Sequence, residues 1–438
     1  MRRKTGSSTK KYKSRRDTNG GRKKGKDVPV DQLIASAETS MASLDVERAA
    51  QLYSQAASKL QQTDATSSKQ QADLLMHVFE KMGECKVSLG DQEGARRDFQ
   101  QALTLLEQHG QDDSVAYHET RSNLYLYAGQ LCMEQEALGT YLKGIQSLEA
   151  CLVLTKKSTD SSMEGNDEME KVLHQKLSGA YCNVAELYLT DLCYEDNAEL
   201  ECESYLEKAL QIKDPDGEPL VDALQTMASL RLSQKPRQLE AVSYILRAYD
   251  RMKVGSEALA SLVGLNETAS DETGKDEEEA VELKEIDAAN NLPEFEFRCQ
   301  TAKLLLECAS LLKESPSPPS LQQPSQEDQC LNAAISVLGS LLAQNDEVVE
   351  IWYLTGCAFA AKRPPLIDPG RFYFNKAMQM LQDIKKALEE EAKFADQEDM
   401  EELREQLEEN QVQIEDVQAK LTELGGEDEQ DDETMEEG

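Results

Sequence analysis

Aromatic residues make up only 5% of the 438 residues, and there is a single tryptophan, Trp352. So few rings, beside many Ala, Leu, Glu and Gln, favour helices, because strands are enriched in aromatic and β-branched side chains. No apolar run reaches the ~18 residues that a membrane span needs, so no membrane partner is expected. The N-terminus is basic, but no apolar stretch follows it, and it does not read as a secretory signal. The ten cysteines contain no Cys-x-x-Cys pair and sit mostly within helical patterns, which points to buried, reduced thiols in a cytosolic or nuclear protein. The four histidines, at 77, 109, 118 and 174, are too dispersed for a metal site.

Other absences exclude chemistry. There is no phosphate-cradling Gly-x4-Gly-Lys-Ser/Thr loop, no Gly-x-Ser-x-Gly elbow and no His-Glu-x-x-His helix. Carboxylates abound, but they lie in solvated acidic runs and not among apolar residues that would shift their pKa. The sequence therefore predicts no catalytic residue, no cofactor and no metal; the chain is expected not to be an enzyme.

Positive charge is scarce too. Lys and Arg total 47 against 83 Asp and Glu, a formal charge of −36. Residues 1–26 hold twelve of the bases and one acid, Asp17, so the remainder carries 35 bases and 82 acids, a net −47. So acidic a body repels nucleic-acid phosphates and attracts basic partners. No direct contact with nucleic acid is expected.

The charge pattern also divides the chain. Residues 1–29 read as a basic disordered arm. Its clusters Lys10-Lys11-Tyr12-Lys13-Ser14-Arg15-Arg16 and Arg22-Lys23-Lys24 read as a nuclear import signal, with Lys10, Lys11, Arg15, Arg16, Lys23 and Lys24 facing an import receptor. Helical repeats follow at 30–263. An acidic insert fills 264–291, with nine acids between Asp271 and Asp287. Repeats resume at 292–386, interrupted by a Pro/Ser linker at 315–326. Residues 387–438 read as an acidic helix and a disordered tail, the last fourteen residues holding eight acids.

The repeats decide the fold class. A tetratricopeptide repeat is a helical hairpin of ~34 residues in which small residues let the helices approach and bulky ones fill the grooves. The fullest copy is Phe79-x2-Met82-Gly83, then Gly90 at the turn, then Ala95-x3-Phe99-x2-Ala102. Second-helix patterns recur at Ala49-x3-Tyr53-x2-Ala56, Ala137-x3-Tyr141-x2-Gly144, Cys202-x3-Leu206-x2-Ala209, Ala241-x3-Ile245-x2-Ala248 and Ala334-x3-Leu338-x2-Leu341. Trp352-x3-Gly356-x2-Phe359 reads as a first helix, answered by Gly370-x3-Phe374-x2-Ala377, which makes Trp352 a packing residue. The expected fold is all-α, a tetratricopeptide-repeat superhelix of about seven irregular helical hairpins with disordered termini.

Three segments are more specific than repeat positions. They are Thr190-Asp-Leu-Cys-Tyr-Glu-Asp-Asn-Ala-Glu with Glu201-Cys-Glu-Ser-Tyr-Leu-Glu-Lys-Ala-Leu, Asp222-Ala-Leu-Gln-Thr-Met-Ala-Ser-Leu-Arg-Leu-Ser-Gln, and Val349-Glu-Ile-Trp-Tyr-Leu-Thr-Gly. With roughly residues 70–385 around them, they resemble the dedicated assembly chaperones of the fourth large-subunit ribosomal protein. That resemblance implies a repeat superhelix that captures a long basic loop of the newly made ribosomal protein. It implies protection from aggregation, residence in cytoplasm and nucleus, and release at nuclear pre-ribosomes. An acidic C-terminal region is typical of the family, and 425–438 fits. The insert at 264–291 and the linker at 315–326 are longer than the resemblance implies. Acidic residues beside these segments, Asp191, Glu195, Asp196, Glu201 and Glu203, with Tyr353, are the candidate contacts for the client. The rival readings are an acidic scaffold or histone chaperone, a scaffold in RNA processing, and a heat-shock co-chaperone; the last needs a Lys-x3-Asn pattern on groove-lining helices that is not found.

Overall fold

The small-and-large spacing of the sequence becomes helix packing in the computed structural model, which describes residues 28–62, 68–109, 113–158, 165–265, 286, 288–314, 325–394 and 399–425. The basic arm, most of the acidic insert, the Pro/Ser linker at 315–324 and the tail from 426 lie outside these residues. The chain divides into two compact units, Met1–Asp112 and Asp113–Gly438.

The first unit holds α1 (Val30–Ala42), α2 (Val46–Gln62), α3 (Lys69–Ser88) and α4 (Gln92–His109), each packed on the next. Ser68 starts α3 by accepting a hydrogen bond from the Gln71 amide, 3.3 Å away, which satisfies one orphan donor of the first turn. Gly90 ends the α3–α4 turn with φ of 78°, a conformation that costs glycine nothing. Gly83 lies against the Phe99 ring so closely that a Cβ there would come within 2.6 Å of it. Ala49, Tyr53 and Ala56 on α2, and Ala95, Phe99 and Ala102 on α4, are all buried.

The second unit continues the pattern with α5 (Val115–Gln130), α6 (Glu134–Ser158), α7 (Gly165–Leu189), α8 (Ala198–Gln211), α9 (Val221–Ser233) and α10 (Glu240–Leu262). It ends with α11 (Phe295–Glu314), α12 (Gln326–Gln344), α13 (Val349–Ala361), α14 (Ile367–Glu391) and α15 (Asp399–Glu423). Tyr141 covers Gly129, and Phe374 covers Gly356, as Phe99 covers Gly83. Among the described residues the helices make seven hairpins followed by α15, and this is the all-α repeat architecture that the spacing implies. The isolated bridge between Lys213 and Pro219, in the α8–α9 loop, is not part of a sheet.

Two features depart from simple repetition. Helix α12 packs on α10 as extensively as on its hairpin partner α11, while α10 and α11 meet only lightly. Gly339 on α12 permits this, since a Cβ there would lie 2.6 Å from that of Ala260 on α10. The segment before α11 occupies the other flank, with the Ala288 backbone against Gly255 of α10. The second departure is α15. Its sequence is Glu-rich, yet Leu403, Asn410 and Val417 are buried, and Leu407, Ile414, Leu421 and Leu424 are half-buried. These positions alternate by four and three, the seam of paired helices. They lay α15 antiparallel on α14, with Asn410 Nδ2 donating to the Leu381 carbonyl at 3.2 Å and Leu424 against Gly370.

Glycine in a helix interior normally destabilises by roughly 0.5–1 kcal/mol relative to alanine. At Gly83 the clash with a fully buried ring reverses that preference. Gly83→Ala should therefore lower stability by about 1–3 kcal/mol, the usual cost of overpacking. Thermal unfolding followed by circular dichroism checks it, and an unchanged or higher midpoint would show that the Phe99 ring yields freely.

Candidate protein-binding surface

The α7–α8 turn carries the first family-like segment. Leu192 is buried and its amide donates to the Leu187 carbonyl at 2.8 Å, so the turn is anchored from below. The neighbouring residues then point outward, and Asp191, Glu195 and Asp196 are exposed. On α8, Ala198, Cys202, Leu206 and Ala209 take the buried stripe, which leaves Glu201 exposed and Glu203 at its margin.

Neighbouring turns are bonded to this one. Asp191 Oδ2 accepts from the Glu134 amide at 3.4 Å, and Glu195 Oε1 accepts from Gln135 Nε2 at 2.9 Å, both across to the α5–α6 turn. On the other side, Glu199 accepts from Gln234 Nε2 at 2.6 Å. Glu203 accepts from Arg231 Nη2 at 2.6 Å and from Arg237 Nη1 at 2.9 Å. Both arginines also pair with Glu240, at 3.2 and 2.8 Å. Three successive hairpin turns are thereby tied side by side.

The sequence-predicted contacts thus separate by role. Asp196 and Glu201 stand free of any ion pair among the described residues. Asp191 and Glu195 hold the α5–α6 turn but remain exposed. Glu203 belongs to the arginine cluster beneath. Burial works against its carboxylate, but the hydrogen bonds from Arg231 and Arg237 outweigh that and hold its pKa below the ordinary 4.5. Tyr353 is brought to none of these. It lies on α13 against the Phe374 ring, with its hydroxyl bonded to Asp416 of α15. A cleft of about 420 Å³ beside it is lined by Val349, Glu350, Leu381, Gln413, Asp416 and Val417. Trp352 packs on Tyr373, with ring centres 5.6 Å apart, and donates from Nε1 to the Asp346 carbonyl at 2.8 Å. The residues proposed as a nuclear signal, Lys10 to Lys24, lie outside the described residues.

Two acids depart from the expectation that carboxylates lie only in solvated runs. Glu186 on α7 and Asp222 on α9 have no ion-pair partner among the described residues, and the Thr226 hydroxyl donates to Glu186 at 3.5 Å. Desolvation by neighbouring atoms raises the pKa of both, although Glu186 is exposed and Asp222 only half-buried. Their signal is an acid set inside an apolar stretch, Val184-Ala185-Glu186 and Asp222-Ala223-Leu224. Of the ten cysteines, Cys193 alone is exposed; Cys132 and Cys357 are half-buried and the other seven are buried.

Removing the Glu203 charge should leave Arg231, only 3% exposed, short of an anion. Glu203→Gln should destabilise by about 2–4 kcal/mol, somewhat below the cost of breaking a fully buried pair. Glu201→Gln should change stability by less than about 0.5 kcal/mol. Because the folded pKa of Glu203 is depressed, its contribution is complete above pH 4.5 and fades as the pH falls below that value. Urea titration of the full chain at pH 7 and in mild acid checks both points; equal effects of the two substitutions would contradict the assignment.

No protein-family model matches the chain. Among solved structures, a circular tandem repeat protein with novel repeat topology and enhanced subunit contact surfaces pairs with 91% of this chain and 78% of its own. At 14% identity and a TM-score of 0.21, that likeness carries no argument. The sequence comparison is stronger. Over 322 residues, 70% of this chain and 74% of the relative, the chain is 26% identical to a protein of Schizosaccharomyces pombe described as a probable assembly chaperone of rpl4, and the resemblance drawn from the sequence is borne out by that relative.

Proposed function

We propose that this chain is a dedicated chaperone, which binds a newly made, basic large-subunit ribosomal protein, shields it, and escorts it to nuclear pre-ribosomes. The observation that carries the reading is the similarity, over most of both chains, to a protein named as an assembly chaperone of rpl4. The chemistry agrees with it. A ribosomal protein made to bind RNA carries Lys- and Arg-rich segments that would associate with any nucleic acid met on the way. An array of helical hairpins offers a long surface on which many carboxylates are fixed at once. Each exposed charge pair contributes little, about 0.2–1 kcal/mol, so holding the client takes many of them.

Such binding is also reversible. Ribosomal RNA is a denser polyanion than the protein, and it competes for the same basic residues at the assembly site. The basic arm, through Lys10, Lys11, Arg15, Arg16, Lys23 and Lys24, would engage an import receptor and take the complex into the nucleus; residence is in both cytoplasm and nucleus. The chain acts by binding alone, without catalysis. A histone-binding scaffold is compatible with the charge but has no support from the relative.

The test is titration of the purified full chain with labelled rpl4, and with core histones as the rival client. Affinity for rpl4 should fall about tenfold or more as salt rises from roughly 0.05 to roughly 0.5 M, because surface charge pairs are screened over that range. Histone binding without rpl4 binding would overturn the reading.

A further inference from the structure

Three hairpin turns in the second unit are held together by side-chain bonds, and each also exposes a large apolar residue. Met133 follows α5 and is 74% exposed; Tyr194, between α7 and α8, is 96% exposed. Leu200, at the start of α8, is 69% exposed, and Leu239, just before α10, is 54% exposed. Scattered apolar residues on a surface are ordinary. These four differ because the turns bearing them are bonded to one another. Gln135 to Glu195 joins Met133's turn to Tyr194's, and Arg237 to Glu203 joins Leu239's turn to the helix bearing Leu200. The anchoring of Leu192 beneath the middle turn keeps the row from collapsing inward.

The charge along the first two turns is negative, and the third carries the exposed cation Lys235. Asp196 and Glu201 are exposed beside Tyr194 and Leu200, and Asp191 lies on the near side. The cations of the third turn are Lys235 and Arg237, and Arg237 is already taken by Glu203 and Glu240. At the first two turns an incoming chain therefore meets apolar contacts set among uncompensated carboxylates.

We propose that this row of turns is a docking surface for an extended segment of the client, in which Lys or Arg side chains are interleaved with apolar ones. The proposal rests on the reading of the chain as a carrier of a basic protein, and it goes further by naming the surface and the kind of segment. Charge complementarity selects a cationic occupant, and the exposed tyrosine and leucines select one that also carries apolar side chains. Packed helices stand about 8–10 Å apart. Three turns in a row therefore span roughly 20 Å, which about six residues of extended chain cover at ~3.3 Å each. Carboxylates bring the segment in and set its salt dependence, while the apolar contacts slow its departure.

The experiment compares full-length variants for binding of labelled rpl4. Tyr194→Ser with Leu200→Ser removes the apolar contacts at exposed positions, so the melting temperature should not move. Binding should weaken about tenfold or more with the slope of affinity against salt unchanged. Asp196→Asn with Glu201→Gln should instead flatten that slope. Leu44→Ser, which alters an 86% exposed residue of the first unit, is the control and should bind as the parent does. If the parent binds rpl4 and the Tyr194/Leu200 variant binds it equally well, the surface is wrong while the chaperone reading stands. If the parent fails to bind rpl4 at all, both fall together.

Discussion

Close approach of two helices under a ring is the contact on which the rest depends. Gly83 beneath Phe99, Gly129 beneath Tyr141 and Gly356 beneath Phe374 each bring a first helix against a second with no Cβ between them. The ring fills the space that the missing side chain leaves, and both partners leave the solvent together. Other rings fill the interior in the same way, as Tyr53 does when fully buried on α2. A hairpin made this way presents a second apolar face to its neighbour, and stacking removes that face in turn. Acidic residues then occupy much of what remains, with Asp98, buried against Lys86, an exception.

That arrangement explains how a chain of charge −36 folds. Many ion pairs sit between helices or turns and fix relative positions, while carboxylates such as Asp196 and Glu201 point outward. The arginine cluster at Glu203 shows the division. Arg231 is buried and costly to desolvate, and it is acceptable only because Glu203, Glu240 and Gln234 surround it. Beside this neutralised cluster stand Asp196 and Glu201, with no such partner. One patch of surface thus spends some of its acids on alignment and leaves others available to a visitor.

How far the sequence revealed this depended on the distance over which each signal acts. The pairing within hairpins was legible, since Gly83 and Ala95, or Gly356 and Phe374, lie within one repeat and their sizes alone announce contact. The packing of α12 on α10 was not, because it depends on Gly339 meeting Ala260 across the acidic insert. Exposure of Asp191, Asp196 and Glu201 could be read from their place beside a turn. The capture of Glu203 could not, since its partners lie 28 and 34 residues away and nothing local distinguishes it from Glu201. The bond from Tyr353 to Asp416 was hidden for a related reason. The residues around Asp416 read as solvated charge, and the seam from Leu403 to Leu424 is thin among its glutamates.

That seam has a consequence for the end of the array. An open final hairpin would leave Val349, Tyr353, Met378 and Leu381 facing water, an apolar ledge of the kind that recruits unwanted partners. Helix α15 covers it with few apolar residues, one of them replaced by Asn410, whose Oδ1 has no hydrogen-bond partner. About half of the exposed residues of that helix are acidic, Glu401, Glu402, Glu405, Glu408 and Glu409 among them, so the cover closes the core and adds negative surface. The same solution appears in the hairpins: a narrow apolar stripe sufficient for packing, with carboxylates on much of the surface that packing leaves over. An acidic surface of this kind attracts cations and repels like charge.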